Sequence, residues 1–68
     1  MASYYISTDS CSVEIDAENA DAAACEFAQD EGIKGVASAA DLQTYLERVG
    51  GYGFMETEDG EMIFRIPA

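Results

Sequence analysis

Carboxylates are the most plentiful reactive groups in this sequence. Among 68 residues there are 14 Asp or Glu, 3 Lys or Arg and no His, which gives a formal net charge of −11. Catalysis by a nucleophile or a general base usually needs His, Lys, Ser or Cys in a suitable pairing, and no such pairing stands out here. Two carboxylates such as Glu56 and Glu58, about 7 Å apart on one strand face, are the remaining catalytic candidates. A chain this short has little room for a deep cleft, so we expect a binding protein and not an enzyme.

The acidic residues do not follow a metal-binding pattern. Residues 56–61 are too short, and alternate wrongly, for an EF-hand calcium loop. Cys11 and Cys25 lack both the Cys-x-x-Cys spacing and the His partners of a zinc site, and we expect them to be reduced thiols. The sequence therefore predicts no metal site and no cofactor.

The charge of the chain restricts its partners. Nucleic acids and anionic membranes attract Lys and Arg, so neither is expected to bind here directly. No apolar run approaches membrane-spanning length, and the N-terminus lacks the pattern of a secretory signal, which predicts a cytoplasmic protein. We expect a monomer whose partner is a basic protein surface.

The elements that position the carboxylates follow from the apolar pattern. Residues 3–7 have the aromatic and β-branched content of a strand, and residues 11–15 either extend it after a bend or form a short second strand. Asp16 is predicted to be the N-cap of a first helix that runs to about Glu31 and ends at Gly32. The small apolar stripe of this helix is predicted to pack closely on a sheet. The stripe consists of Ala17, Ala20, Ala24, Phe27 and Ala28.

A second helix is predicted between the capping residue Ser38 and the pair Gly50-Gly51. Its apolar residues recur at i, i+3, i+4 and i+7, the strongest helical period in the chain. These core positions are Leu42, Tyr45, Leu46 and Val49.

Residues 52–66 are predicted to form a hairpin around the two-residue turn Asp59-Gly60. The turn sets the pairing of the strands and therefore the face that each side chain occupies. The predicted pairs are Glu58 with Glu61, Thr57 with Met62, and Met55 with Phe64. The predicted core face is Met55, Met62, Phe64 and Ile66, and the opposite face is Phe54, Glu56, Glu58, Glu61, Ile63 and Arg65.

The order of these elements predicts one compact α+β domain over residues 1–68. A mostly antiparallel sheet of three or four strands would carry the two helices on one face. A βαβ crossover with one parallel strand pair is the alternative topology.

The acidic side chains of the first helix and the hairpin are expected to stand in rows. Neighbours lie about 5 to 6 Å apart on a helix face and about 7 Å apart along a strand. Duplex DNA also presents a regular row of negative charge, so such rows can occupy a groove that binds phosphate, with Phe54 as an apolar anchor. The predicted partner-binding residues are Glu18, Asp21, Glu26, Asp30, Glu31, Phe54, Glu56, Glu58, Asp59 and Glu61.

In size, charge and strand–helix–hairpin character, the whole chain resembles the small acidic phage anti-CRISPR proteins, including inhibitors of the type I-C system. Asp30, Glu31 and residues 56–61 match that group in chemical character and not through a sequence motif. The resemblance implies a non-enzymatic inhibitor in the host cytoplasm. It would dock on a DNA-binding subunit of a type I CRISPR complex and block recognition of target DNA.

Two other interpretations of the charge stay open. The chain can be an acidic adaptor or regulatory protein that binds a different basic protein. It can also be a small domain from a salt-adapted organism, in which the acidic surface has no mimicry role. Solubility alone requires a net charge of only about 2 to 8 in a small domain, so a charge of −11 calls for one of these explanations.

Overall fold

The protein has an α+β fold built from six elements. The computed structural model describes residues 1–67. The elements in chain order are β1 (Ala2–Thr8), β2 (Ser12–Ala17), α1 (Ala20–Glu31), α2 (Ala39–Arg48), β3 (Gly53–Thr57) and β4 (Met62–Ile66). The strands form one sheet in the order β2-β1-β3-β4, and each neighbouring pair is antiparallel. The α+β prediction is confirmed, and the parallel alternative is wrong for the described residues.

The core lies between one face of this sheet and the two helices. Alternate side chains point to the same face of a strand, and one such set is buried on each strand. These strand residues are Tyr4, Ile6, Ile15, Ala17, Met55 and Phe64. The helices cover them with Ala23, Ala24, Phe27, Ala39, Leu42 and Leu46. The alanines of α1 bring its backbone close to the sheet, as the sequence predicts.

The predicted start of α1, with Asp16 as its N-cap, is wrong. Asn19 caps the helix, because its side-chain oxygen accepts a hydrogen bond from the Ala22 amide at 2.8 Å. Asp16 and Ala17 instead complete β2, where Ala17 is buried as part of the strand alternation. The predicted end holds, since Gly32 has a positive φ of 72° and its amide closes the last turn of the helix.

Helix α2 agrees with its predicted cap. The Ser38 hydroxyl accepts a hydrogen bond from the Asp41 amide at 3.1 Å. Leu42 and Leu46 are buried, but Val49 follows the last helical residue and is 55% exposed, so its assignment to the core is wrong. Neither helix among residues 1–67 combines the length and apolar content needed to cross a bilayer.

The hairpin contains two irregularities that the predicted two-residue turn does not include. The Gly60 amide donates to the Thr57 carbonyl at 2.9 Å, and the Thr57 amide donates to the Glu61 carbonyl at 2.9 Å, so the loop has three residues. Glu56 then pairs with Met62, whereas Met55 pairs with Phe64, which leaves Ile63 as an extra residue in a β-bulge.

The bulge changes which side chains of β4 face the helices. Met62 lies opposite Glu56 and is 46% exposed, so its predicted place in the core is wrong. Ile63, predicted on the outer face, packs against the core instead. The predicted pairs of Thr57 with Met62 and Glu58 with Glu61 are also wrong, but the pair Met55 with Phe64 is confirmed because the bulge restores that register.

Candidate partner-binding surface

One face of the sheet has no helix on it, and we call it the open face. It carries the side chains that alternate with the buried ones, so strand register alone assigns most of its members. Its members are Ser3, Tyr5, Ser7, Ser12, Glu14, Asp16, Phe54, Glu56, Glu58, Met62 and Arg65. Four of them are carboxylates and one is a guanidinium, so the open face is strongly acidic.

Tyr5 lies at the centre of the open face. It belongs to the inner strand β1 and pairs with Glu14 of β2 on one side and with Glu56 of β3 on the other. Its side chain is 39% exposed. The negative charge of Glu14 raises the pKa of the Tyr5 phenol above its usual value, and a hydrogen bond from the phenol to Glu14, partial burial and the charges of Glu58 and Glu56 add to the shift. The aromatic ring is therefore flanked by acids.

The carboxylates of the open face form two columns, which we call the acidic columns. Glu14 and Asp16 make the column on β2, and Glu56 with Glu58 makes the column at the end of β3. The Glu58 amide donates to the Ser3 carbonyl at 3.0 Å, which holds this residue beside β1 after β3 has ended. Residues two apart on a strand are about 7 Å apart, and columns separated by one strand are about 9.5 Å apart.

Glu14 and Asp16 were absent from the residues predicted from sequence. The signal for them is the alternation of Ser12, Glu14 and Asp16 with an apolar set in the same strand. Their place beside Tyr5 depends on the pairing of β2 with β1, which alternation within one strand does not show. The Ser3 hydroxyl also donates a hydrogen bond to Asp16, so this carboxylate is held in position.

The predicted acids of α1 lie on the helical layer, on the other side of the sheet. Glu26 and Asp30 are exposed on the helix, and Glu18 is exposed just before its cap. Because α1 packs on the buried face of the sheet, these three residues do not join the acidic columns. The structure thus separates the predicted helix acids from the predicted hairpin acids.

Two further acids of α1 have local partners. The Asp21 carboxylate accepts a hydrogen bond from the Ala39 amide at 3.0 Å and so connects the two helices. Glu31 borders a cavity of about 300 Å³ between the β1–β2 turn and the C-terminal ends of the helices. Burial, and then the charge of Glu31, raises the pKa of the Cys11 thiol. Cys11 and Cys25 are both free thiols.

Asp59 and Glu61 occupy the tip of the hairpin, where both are exposed. Gly60 between them has a φ of 88°, a conformation that suits glycine at this position of the turn. The Glu61 amide donates to the Thr57 hydroxyl at 3.0 Å, so the tip has a defined backbone conformation. These two acids extend the negative charge of the acidic columns beyond the end of the sheet.

Apolar groups accompany the acids of the open face. Phe54 is half-buried and pairs with Ser7 on one side and Arg65 on the other, while Met62 is exposed beside Glu56. A shallow groove of about 320 Å³ runs over this face. Its lining includes Tyr5, Ser7, Ser12, Val13, Glu14, Phe54 and Glu56.

In comparisons with known proteins, no family model, curated protein or solved structure matches the chain. Within residues 1–67, no three His, Cys, Asp or Glu side chains converge into a group that could hold a metal ion. The open face must therefore be interpreted from its own side chains. They offer negative charge, aromatic rings and small hydroxyls on a four-stranded sheet, which is a surface suited to binding a cationic group.

Proposed function

We propose that this chain is a non-enzymatic acidic inhibitor that acts as a DNA mimic. It binds the basic DNA-contacting surface of a type I CRISPR surveillance complex and blocks recognition of target DNA. The observation that carries the proposal is the open face, where acidic columns on β2 and β3 flank Tyr5 of β1. The net charge of −11 extends the same attraction over the whole molecule.

The parallel arrangement of the acidic columns supports mimicry of a duplex. The columns are separated by about 9.5 Å, which is two strand spacings. The grooves of B-DNA are about 6 and 12 Å wide, with a row of phosphates on each side. The separation of the columns lies between these two widths, so what the open face shares with a duplex is a pair of parallel rows of negative charge. The CRISPR part of the proposal is supported by the chain's resemblance to small acidic anti-CRISPR proteins.

Apolar side chains on the open face supply the contacts that charge alone does not. Exposed ion pairs contribute only about 0 to 1 kcal/mol each, and salt weakens them. Tyr5, Phe54 and Met62 lie among the carboxylates and can be covered when a partner docks. Aromatic residues near the centre of an interface commonly contribute most of its binding energy.

The test is a pull-down of a purified type I CRISPR surveillance complex by the tagged protein, with target duplex DNA as competitor at two salt concentrations. Two triple variants, each removing three negative charges, compare the open face with α1. They are Glu14→Gln with Glu56→Gln and Glu58→Gln, and Glu18→Gln with Glu26→Gln and Asp30→Asn. We expect the first to lose binding and the second to retain most of it, and we expect DNA to compete with the wild type.

Other outcomes would separate the alternatives. Failure of the wild-type protein to bind the complex at low salt would refute the proposal. Capture of a different basic protein, without competition by DNA, would favour the adaptor. Loss of binding only in the α1 variant would show that the helical layer, and not the open face, contacts the complex.

A further inference from the structure

One row of the open face combines an aromatic ring with two carboxylates. Tyr5 on β1 pairs with both Glu14 and Glu56, so a ring stands between two carboxylates in a single row across three strands. No other row of the open face has an aromatic residue between two acids. Phe54, in the next row, pairs with Arg65, and that positive charge makes its end of the face less suited to a cation.

Arginine and lysine differ in how they fit such a row. The guanidinium group is planar, is weakly hydrated, can stack on an aromatic ring and can donate two parallel hydrogen bonds to a carboxylate. The ammonium group of lysine is compact and strongly hydrated and offers no flat surface. Carboxylates alone favour arginine through paired hydrogen bonds, and a ring between two carboxylates adds stacking to this preference.

The groove over the open face also fits the remainder of an arginine side chain. It has a volume of about 320 Å³, and its lining includes the half-buried Phe54 beside Ser7 and Ser12. The hydroxyl oxygens of these two serines lie 2.7 Å apart and can accept hydrogen bonds from guanidinium nitrogens that do not reach a carboxylate. The Phe54 ring can cover the methylene stem.

We propose that the open face binds an arginine side chain of the partner, with the guanidinium stacked on Tyr5 between Glu14 and Glu56. This inference rests on the proposed function and specifies its partner as an arginine-rich surface. It is consistent with the raised pKa of the Tyr5 phenol, which reflects nearby negative charge that a guanidinium would neutralise.

The test compares octaarginine with octalysine, two peptides of equal length and charge. Each is fluorescently labelled and titrated with the full chain by anisotropy at about 50 and 150 mM salt. We expect octaarginine to bind about fivefold more tightly, since stacking of a cation on an exposed ring has an effect of this order. Tyr5→Phe should keep this preference, and Tyr5→Leu should reduce it because the stacking contribution is lost. Tyr45→Leu, a matched change on α2 in the helical layer, should leave the preference intact.

The outcomes distinguish this inference from the proposed function. Equal binding of the two peptides by the wild type, or an unchanged preference in Tyr5→Leu, would overturn arginine selection while leaving attraction to a basic surface in place. Binding of neither peptide would overturn both. Glu14→Gln provides a second variant that does not alter the ring, and it should weaken octaarginine binding more than the exposed control Glu47→Gln does.

Discussion

The carboxylate of Asp21 lies 3.0 Å from the Ala39 amide nitrogen, so the first turn of α1 caps the first turn of α2. The amides of a helical first turn have no partners within the helix, and each needs an acceptor from elsewhere. The Ser38 hydroxyl accepts the hydrogen bond of the Asp41 amide, and the Asp21 carboxylate accepts that of the Ala39 amide. An acid that sequence assigns to partner binding thus has a structural partner.

Replacement of Asp21 by Ala should therefore reduce stability. We expect a loss of about 1 kcal/mol in the free energy of unfolding, the usual cost of removing a capping acceptor. Glu26→Ala removes the same charge from an exposed position of the same helix and serves as the control. Urea unfolding followed by circular dichroism measures both. Equal stability of the two variants would show that the contact with Ala39 contributes nothing.

Tyr5 should make stability depend on pH in the alkaline range. Its pKa is raised in the folded protein by Glu14, with Glu58 and Glu56 contributing, whereas an unfolded tyrosine titrates near pH 10. The folded state therefore holds the phenolic proton more tightly, so stability falls as the pH rises from about 10 through the raised pKa. Urea midpoints at about pH 9 and 11 should fall more for the wild type than for Tyr5→Phe. An equal fall of the urea midpoint in the wild type and in Tyr5→Phe would contradict the placement of these acids around the ring.

Gly53 should tolerate no larger residue. A Cβ atom at this position would clash with the Ser7 carbonyl oxygen, a backbone atom that moves only if β1 and β3 separate. We expect Gly53→Ala to cost roughly 1 to 3 kcal/mol of stability. At Gly51 the nearest atoms lie 3.7 Å from the added Cβ, so Gly51→Ala is the control and should be nearly neutral. Thermal unfolding of both variants gives the comparison.

Salt should separate a partner-binding surface from adaptation to a saline habitat. At a net charge of −11 the carboxylates repel one another, and added salt screens this repulsion. The midpoint temperature of unfolding should therefore rise with salt. We nevertheless expect cooperative unfolding at about 50 mM salt, because the buried cluster draws on all six elements. A chain that is unfolded at this concentration and folds only at about 2 M salt would support the habitat explanation.

Local signals in the sequence are sufficient to predict that two helices and a C-terminal hairpin form, but not the turn and register of the hairpin. Ser38 and Gly32 have the predicted roles at helix ends, and Leu42 and Leu46 are buried where a period of 3.6 residues places them. The error at Asp16 has a simple cause, since Asp16 and Asn19 are equally good caps. The alternation of buried residues in β2, which continues to Ala17, decides between them.

The open face could be predicted only in part. Phe54 and Glu56 follow from alternation within the hairpin, but the position of Glu14 beside Tyr5 requires that β2 and β3 flank the same strand. That arrangement is set by contacts between residues far apart in the sequence. The exposure of Met62 was missed for a different reason, since a one-residue change in the turn and a bulge both alter the register.

The bulge at Ile63 also affects how the molecule meets its own copies. Strand β4 is an outer strand, and a long regular outer strand offers its free amides and carbonyls to another chain. The extra residue interrupts the regular backbone ladder of this short strand and increases its local twist. A second molecule therefore has no straight template to extend at the β4 edge, so the hairpin that carries the acidic tip also hinders growth of the sheet into a fibril from that side.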